Sequence, residues 1–196
     1  MIEFESTEIK DNFNEISVYI TAPLYWWKEF DECKAGTIVK LSNTVHNISN
    51  KKFELDDFSH EHLVSGHFKF TDFDSETLFF DEETDGDVVA WSPESGLLLI
   101  IGILNTNREM YLKTKDIKYL QQIIQLLPQS YNQKRAIVSS YKDLEIIYKS
   151  KKDDKLDEWS EHDSSSITKI GSNEYFGFCD WIKTLPHSEL ITGDFV

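Results

Sequence analysis

Several groups of residues in this chain have the types and spacing to do chemistry. His60, Glu61, His62 and His67 form the densest cluster of metal-ligating side chains. His-x-His spacing presents both rings to one side of a strand, whereas a helix turns them apart. No second cluster of ligand spacing accompanies it, so the histidines read as surface residues and no metal is expected. Cys33 stands beside Lys34, whose charge favours a thiolate. No histidine with an orienting Asp or Asn can be assigned to it, and it reads as a structural thiol. Asn105, Asn107 and Arg108 on one helical stretch, and Ser139, Ser140 and Lys142 on another, could hold a phosphate or a base. Ordinary helix-surface residues explain these two sets equally well. Glycine-rich phosphate loops, the Gly-x-Ser-x-Gly elbow and the His-Glu-x-x-His helix are absent from the sequence.

Charge is the strongest signal. The chain holds 35 Asp and Glu against 20 Lys and Arg, a formal net charge of −15, and its only arginines are Arg108 and Arg135. Such a balance argues against direct nucleic-acid binding, which needs cations to displace counterions. It offers no polybasic patch to an anionic membrane. A basic protein would be attracted instead, and its encounter rate raised. Residues 71–87 carry eight acidic residues and no basic one. Asp72, Asp74, Asp81, Glu82, Glu83 and Asp85 are therefore the candidate partner-binding residues; a solvated loop is the plain alternative. Cys33 and Cys179 are far apart and read as reduced thiols. The N-terminus lacks the pattern of a signal peptide, and the longest apolar run, Leu97–Leu104, is too short to span a bilayer. A soluble cytoplasmic protein is expected.

The elements that must position these residues follow from periodicity. The length suits one domain, 1–196. Ile2 and Phe4, then Ile16, Val18 and Ile20, alternate with polar neighbours as strands do. Pro23 opens a helix to Cys33 whose apolar stripe is Trp26, Trp27 and Phe30. After Gly36 a polar run, Ser42-Asn43-Thr44, leads to His46. Asp56 or Asp57 can cap a short helix carrying His60 and His62. Asp85-Gly86 marks a turn that would pair Leu78–Phe80 with Val88–Trp91, making 71–91 an acidic hairpin or loop excursion. Ser92-Pro93-Glu94 starts a long helix whose first two turns are apolar all round, which implies burial. Lys115–Leu127 is a further helix, ended by Pro128. Ser130 can cap a helix over Tyr131–Lys151, where Val138, Tyr141, Leu144, Ile147 and Tyr148 recur at three- and four-residue steps. Residues 160–172 read as a flexible loop, and Asn173–Leu185 as a last amphipathic helix. The fold class is α+β, a small mixed or antiparallel sheet packed against several long helices.

Two segments together resemble the flavin-dependent thymidylate synthase family. That family has a strand ending in proline, a helix, Arg-His-Arg, seven residues and a serine. Here Ala22-Pro23 is followed at the same spacing by Glu32-Cys33-Lys34, the seven residues Ala35–Leu41, and Ser42. The family also has Leu-Pro and then Asn-x-Arg-Ser-Leu in a long helix, with another arginine further on. This chain has Leu127-Pro128, Ser140-Tyr141-Lys142-Asp143-Leu144 and then Lys151. The resemblance implies a thymidylate-synthase-complementing-like fold, and a homo-oligomer, since that family forms tetramers with shared sites. It also implies nucleotide binding by Lys34, Ser42, Ser140, Lys142 and Lys151, with FAD as cofactor only if the family's site is retained.

Glu32 stands where the family has an arginine, which reverses the sign at the anion clamp. Lys142 keeps a charge but not the bidentate fork. No catalytic residue is therefore assigned. The chain also looks similar to proteins of bacteriophages and prophages of Gram-positive bacteria, through Trp26–Asp31, Leu126–Gln133, Lys155–Trp159 and Leu185–Gly193. A binding protein on an inherited fold is the leading expectation, its partner a basic host protein or a nucleotide. An enzyme of deoxypyrimidine metabolism is the alternative.

Overall fold

A computed structural model describes residues 2–10, 15–33, 37–41, 51–63, 67–69, 79–81, 92–161 and 177–193. In chain order the elements are β1 (Glu3–Lys10), β2 (Glu15–Pro23), α1 (Leu24–Glu32), β3 (Thr37–Leu41), a 3-10 turn (Leu55–Asp57), β4 (His67–Lys69) and β5 (Phe79–Asp81). They continue with α2 (Pro93–Thr114), α3 (Ile117–Leu126), β6 (Asn132–Ser139), α4 (Tyr141–Lys151), α5 (Phe178–Lys183) and α6 (Glu189–Thr192). This is the α+β class expected from the sequence, with antiparallel sheets. The chain, read as one domain from its length, divides into two compact units: Met1–Thr44 with Gln129–Val196, and Val45–Pro128.

The first unit is built on a four-stranded antiparallel sheet in the order β1-β2-β6-β3. Alternation along β2 buries Ile16, Val18, Ile20 and Ala22, which stand opposite Ser139, Ile137, Arg135 and Gln133 of β6. Pro23, with φ −67°, ends the strand and starts α1; its ring fixes that angle and removes a donor. Trp26, Trp27 and Phe30 are all buried, as their spacing predicts. Trp26 stacks on Trp159 with centroids 4.4 Å apart. Phe178, Leu144 and Ile147 complete the surrounding core. Large rings dominate that core because each hides roughly 150–250 Å².

The largest departure from the sequence expectation lies at 131–140. A helix was expected from Ser130; instead residues 132–139 form β6, and the helix starts at Tyr141. The apolar three- and four-residue steps are real only from Tyr141 onward. Before it, Gln133, Ile137 and Ser139 are buried in alternation, and β2 and β3 supply backbone partners on both sides. Propensity gives way to that pairing. Ser140, not Ser130, is the cap: its Oγ accepts the Asp143 N–H at 3.1 Å. The last predicted helix is observed over Phe178–Lys183, with residues 173–176 outside the described part, and α6 follows Pro186 without having been anticipated. Most of the expected loop at 160–172 also lies outside the described residues.

In the second unit, Ser92 caps α2 by accepting the Ser95 N–H at 3.0 Å, and Pro93 holds the first helical position as predicted. The helix ends at Lys115, whose φ of 59° is left-handed. Asp116 then caps α3 through the Lys118 N–H at 3.1 Å. The expected burial of the whole start of α2 does not hold. Leu97, Ile101 and Leu104 are buried, but Leu98, Leu99 and Ile103 are 48%, 51% and 40% exposed. Among the described residues, a single face of the helix has a packing partner. No helix carries His60 and His62; the capped element is the 3-10 turn Leu55–Asp57, and both histidines follow it. β5 pairs antiparallel with β4, Phe80 opposite Phe68. The proposed arm at 88–91 lies outside the described residues. Among the described residues no helix is long and apolar enough to cross a membrane.

Candidate functional site

The residues suggested for nucleotide binding fall into different situations. Lys34 and Ser42 lie outside the described residues, as do Asp72, Asp74, Glu82, Glu83 and Asp85. Asp81 is the last residue of β5, in register with His67. Ser140 is committed to its own helix: its hydroxyl donates to Asp143 Oδ2 at 2.8 Å while its Oγ accepts the Asp143 amide. Asp143 also places a carboxylate in the first turn of α4, where an incoming anion would be drawn by the helix dipole. Lys142 is exposed beside it. Lys151 sits at the opposite end of α4, about 16 Å from Ser140 at 1.5 Å per residue. Ser140 and Lys142 adjoin; Lys151 is not brought to them.

Lys151 instead holds a compact ionic cluster together. Its ammonium donates to Glu29 at 2.7 Å and to Asp154 at 2.8 Å, and lies 5.0 Å from the centre of the Trp159 ring. Burial pulls the Lys151 pKa down, but hydrogen bonds to Asp154 and Glu29 outweigh it and the net direction is up. Burial raises Asp154, yet hydrogen bonds from Lys151 and the Leu156 amide carry it below the ordinary value. Cys33 is half-buried close to this cluster. Burial raises its thiol pKa, Lys151 opposes, and Glu29, Glu32 and Asp154 add to the rise. Burial pushes the Cys179 thiol up to about 12. Both thiols are thus protonated at neutral pH, the opposite of what a nucleophile requires.

The second polar cluster of this unit surrounds Arg135. The guanidinium lies 4.5 Å from the Trp27 ring centre and pairs with Asp31 at 3.1 Å. Its Nε donates to Gln133 Oε1 at 2.8 Å, and the Trp27 indole donates to the Gln133 carbonyl at 2.8 Å. Tyr25 donates to Glu158, and Tyr148 and Lys183 both donate to Glu161. Burial raises Glu161, but hydrogen bonds from Lys183 and Tyr148 lower it overall. Sequence reasoning missed Arg135, Glu29, Asp154 and Trp159 as a set. Glu29 and Lys151 are 122 residues apart, and no local pattern links them.

Two of the polar residues of α2 make hydrogen bonds within the second unit. Asn105 accepts the Phe53 N–H and donates to the Phe53 carbonyl, each at 2.9 Å, so its amide extends that backbone like a strand partner. Asn107 donates to the Ile103 carbonyl of its own helix, and Arg108 is buried. His60 Nδ1 donates to the Phe58 carbonyl at 2.8 Å, and His62 is exposed.

No protein-family model matches the chain, and no curated protein matches it. Among solved structures it is similar to thymidylate synthase X from Helicobacter pylori, crystallised with FAD and dUMP. The sequence identity is 11%, over 91% of this chain and 72% of that one, with a TM-score of 0.47. The family is the one the sequence motifs resemble. Likeness of this degree carries no conclusion about activity, and the α+β class rests on the chain's own elements. The described residues do not fit an anion clamp for FAD: Glu32 is an exposed carboxylate, Ser140 is bound to Asp143, and two carboxylates already hold Lys151.

Proposed function

We propose that this chain works by binding, and that its partner is a basic protein drawn to its carboxylates. The observation that carries the reading is the charge balance. The net charge is −15, while Lys51, Lys118, Lys134, Arg135, Lys149 and Lys183 are each held by a carboxylate of the same unit. Cations so engaged leave the excess carboxylates to set the outward field. Protonated thiols and a serine tied into a helix cap favour binding over nucleophilic chemistry. The specific form is a phage-encoded anti-defence inhibitor whose Asp72, Asp74, Asp81, Glu82, Glu83 and Asp85 imitate nucleic-acid phosphates for a basic groove. It is supported by the resemblance to phage proteins and by the eight acids of residues 71–87.

Changing Asp81, Glu82, Glu83 and Asp85 to their amides should weaken the complex with a partner recovered from host extract and flatten its salt dependence. An unchanged affinity at every salt concentration would sink this reading. The alternative, a nucleotide-binding protein of deoxypyrimidine metabolism, is favoured by Lys142, exposed in the first turn of α4. A rise in melting temperature with deoxyuridine phosphates that Lys142→Ala abolishes would establish it instead.

A further inference from the structure

We propose that the outer edge of β1 takes an extended segment of a basic protein as an added strand, with Lys or Arg at alternate positions of that segment. This rests on the basic partner proposed above and adds the place and the form of the contact. β1 stands at the end of the sheet order, so among the described residues no strand pairs with its outer side. Alternate residues of an edge strand aim their N–H and C=O groups outward, where a further strand can pair with them. Glu3, Glu5 and Glu8 are exposed and stand in register with Thr21, Tyr19 and Ser17 of β2. The intervening Ile16, Val18 and Ile20 are buried, so the three carboxylates share the sheet face opposite the core. A strict two-residue period would turn Glu8 toward the core. The register shift between Glu5 and Glu8 inserts one residue and keeps Glu8 outward. β3, at the other edge of the sheet, carries no acid.

The fold already shows how this face receives a cation. Lys134 of β6 lies 5.4 Å from the Tyr19 ring centre and reaches Glu5 at 2.6 Å. Lysines of a strand added on the outer side of β1 would stand directly across from Glu3, Glu5 and Glu8, and opposite charges on neighbouring strands stabilise their pairing. In strand addition the main-chain hydrogen bonds supply affinity, and the alternate side chains select the segment. A second copy of this chain does not fit the edge, because two β1 strands side by side set carboxylates against carboxylates. Anionic partners are repelled for the same reason.

Fluorescence anisotropy of a dye-labelled peptide, Lys-Val repeated four times, titrated with the full chain to about 100 µM tests the proposal. Two further peptides carry N-methyl groups on every lysine or on every valine; each loses the donors of one strand edge and keeps its charge. Strand addition uses a single edge of the peptide. One methylated peptide should therefore bind within about threefold of the parent, and the other about tenfold more weakly or worse. Glu3→Gln, Glu5→Gln and Glu8→Gln together should raise the parent dissociation constant about tenfold. The melting temperature of that variant should stay within about 2 °C of the wild type, because the Glu5–Lys134 pair it removes is half-exposed. Equal affinity for the two methylated peptides, a dissociation constant that the glutamines leave unmoved, or no binding at all would overturn the proposal. A host complex that still weakens when Asp81, Glu82, Glu83 and Asp85 become amides would then leave the basic partner of residues 71–87 standing. Edge-selective peptide binding beside a host complex indifferent to those amides would support the strand addition and remove residues 71–87 from the contact.

Discussion

Replacing Lys151 with methionine should destabilise the protein by about 2–3 kcal/mol while leaving its acidic surface unchanged. The lysine makes charge-assisted hydrogen bonds of 2.7 Å and 2.8 Å to Glu29 and Asp154. Each such bond contributes roughly 1.5–3 kcal/mol, and the Trp159 face adds about 0.5–1 kcal/mol. The side chains of Lys151, Glu29 and Asp154 are 17%, 34% and 21% exposed. Water therefore recovers part of the loss once the ammonium is gone, which brings the net below the sum of its parts. Methionine keeps the apolar stem over the indole, so the change isolates the charge.

Urea unfolding followed by circular dichroism reads the loss at neutral pH. The pH profile supplies a second check. Asp154 has a lowered native pKa, so its contribution is complete above the ordinary 3.8 and disappears as pH falls through the native value. Lys151 has a raised native pKa, so its contribution is complete below 10.5 and disappears as pH rises through the native value. The gap between wild type and Lys151→Met should be flat between about pH 5 and 9 and shrink at both ends. A gap under about 0.5 kcal/mol, or one without pH dependence, would refute the structural role. Lys151 would then be free to serve a ligand.

Trp27→Phe should cost about 1–2 kcal/mol more than Trp26→Phe in the same unfolding assay, because only the first leaves a buried carbonyl, that of Gln133, without its donor. Among the described residues the Trp26 and Trp159 indole nitrogens have no hydrogen-bond partner, so their removal forfeits packing alone. Ser140→Ala should lower stability by about 1 kcal/mol through loss of the α4 cap. Ser130→Ala, at the cap expected from sequence, should change it by less than about 0.5 kcal/mol. Thiol alkylation with a pH series should find Cys33 slow at pH 7 and accelerating above 9, with Cys179 unreactive until the protein unfolds. Fast labelling of Cys33 at neutral pH would contradict its burial among carboxylates.

Local chemistry determined much of this molecule. The proline that ends β2 and opens α1 could be read directly, as could the Ser92-Pro93 start of α2 and the aromatic stripe of α1, because each depends on neighbours within a turn. The acid excess likewise needs no structure to assert itself. Whether residues 132–139 are strand or helix could not be read locally. That segment is compatible with both, and the backbone partners that decide it come from β2 and β3, distant in sequence (Pro23 pairs with Asn132 and Leu41 with Arg135) but brought alongside by the sheet. Burial on α2 was equally undecidable from its sequence, since Leu97 and Leu98 differ only in whether a neighbour faces them. Lys151 shows the same limit for the site: the family resemblance grouped it with Lys142 for nucleotide binding, and the two stand at opposite ends of α4. Its true partners, Glu29 and Trp159, meet it only when the tertiary fold closes, because charge pairing acts through space and leaves no period in the chain.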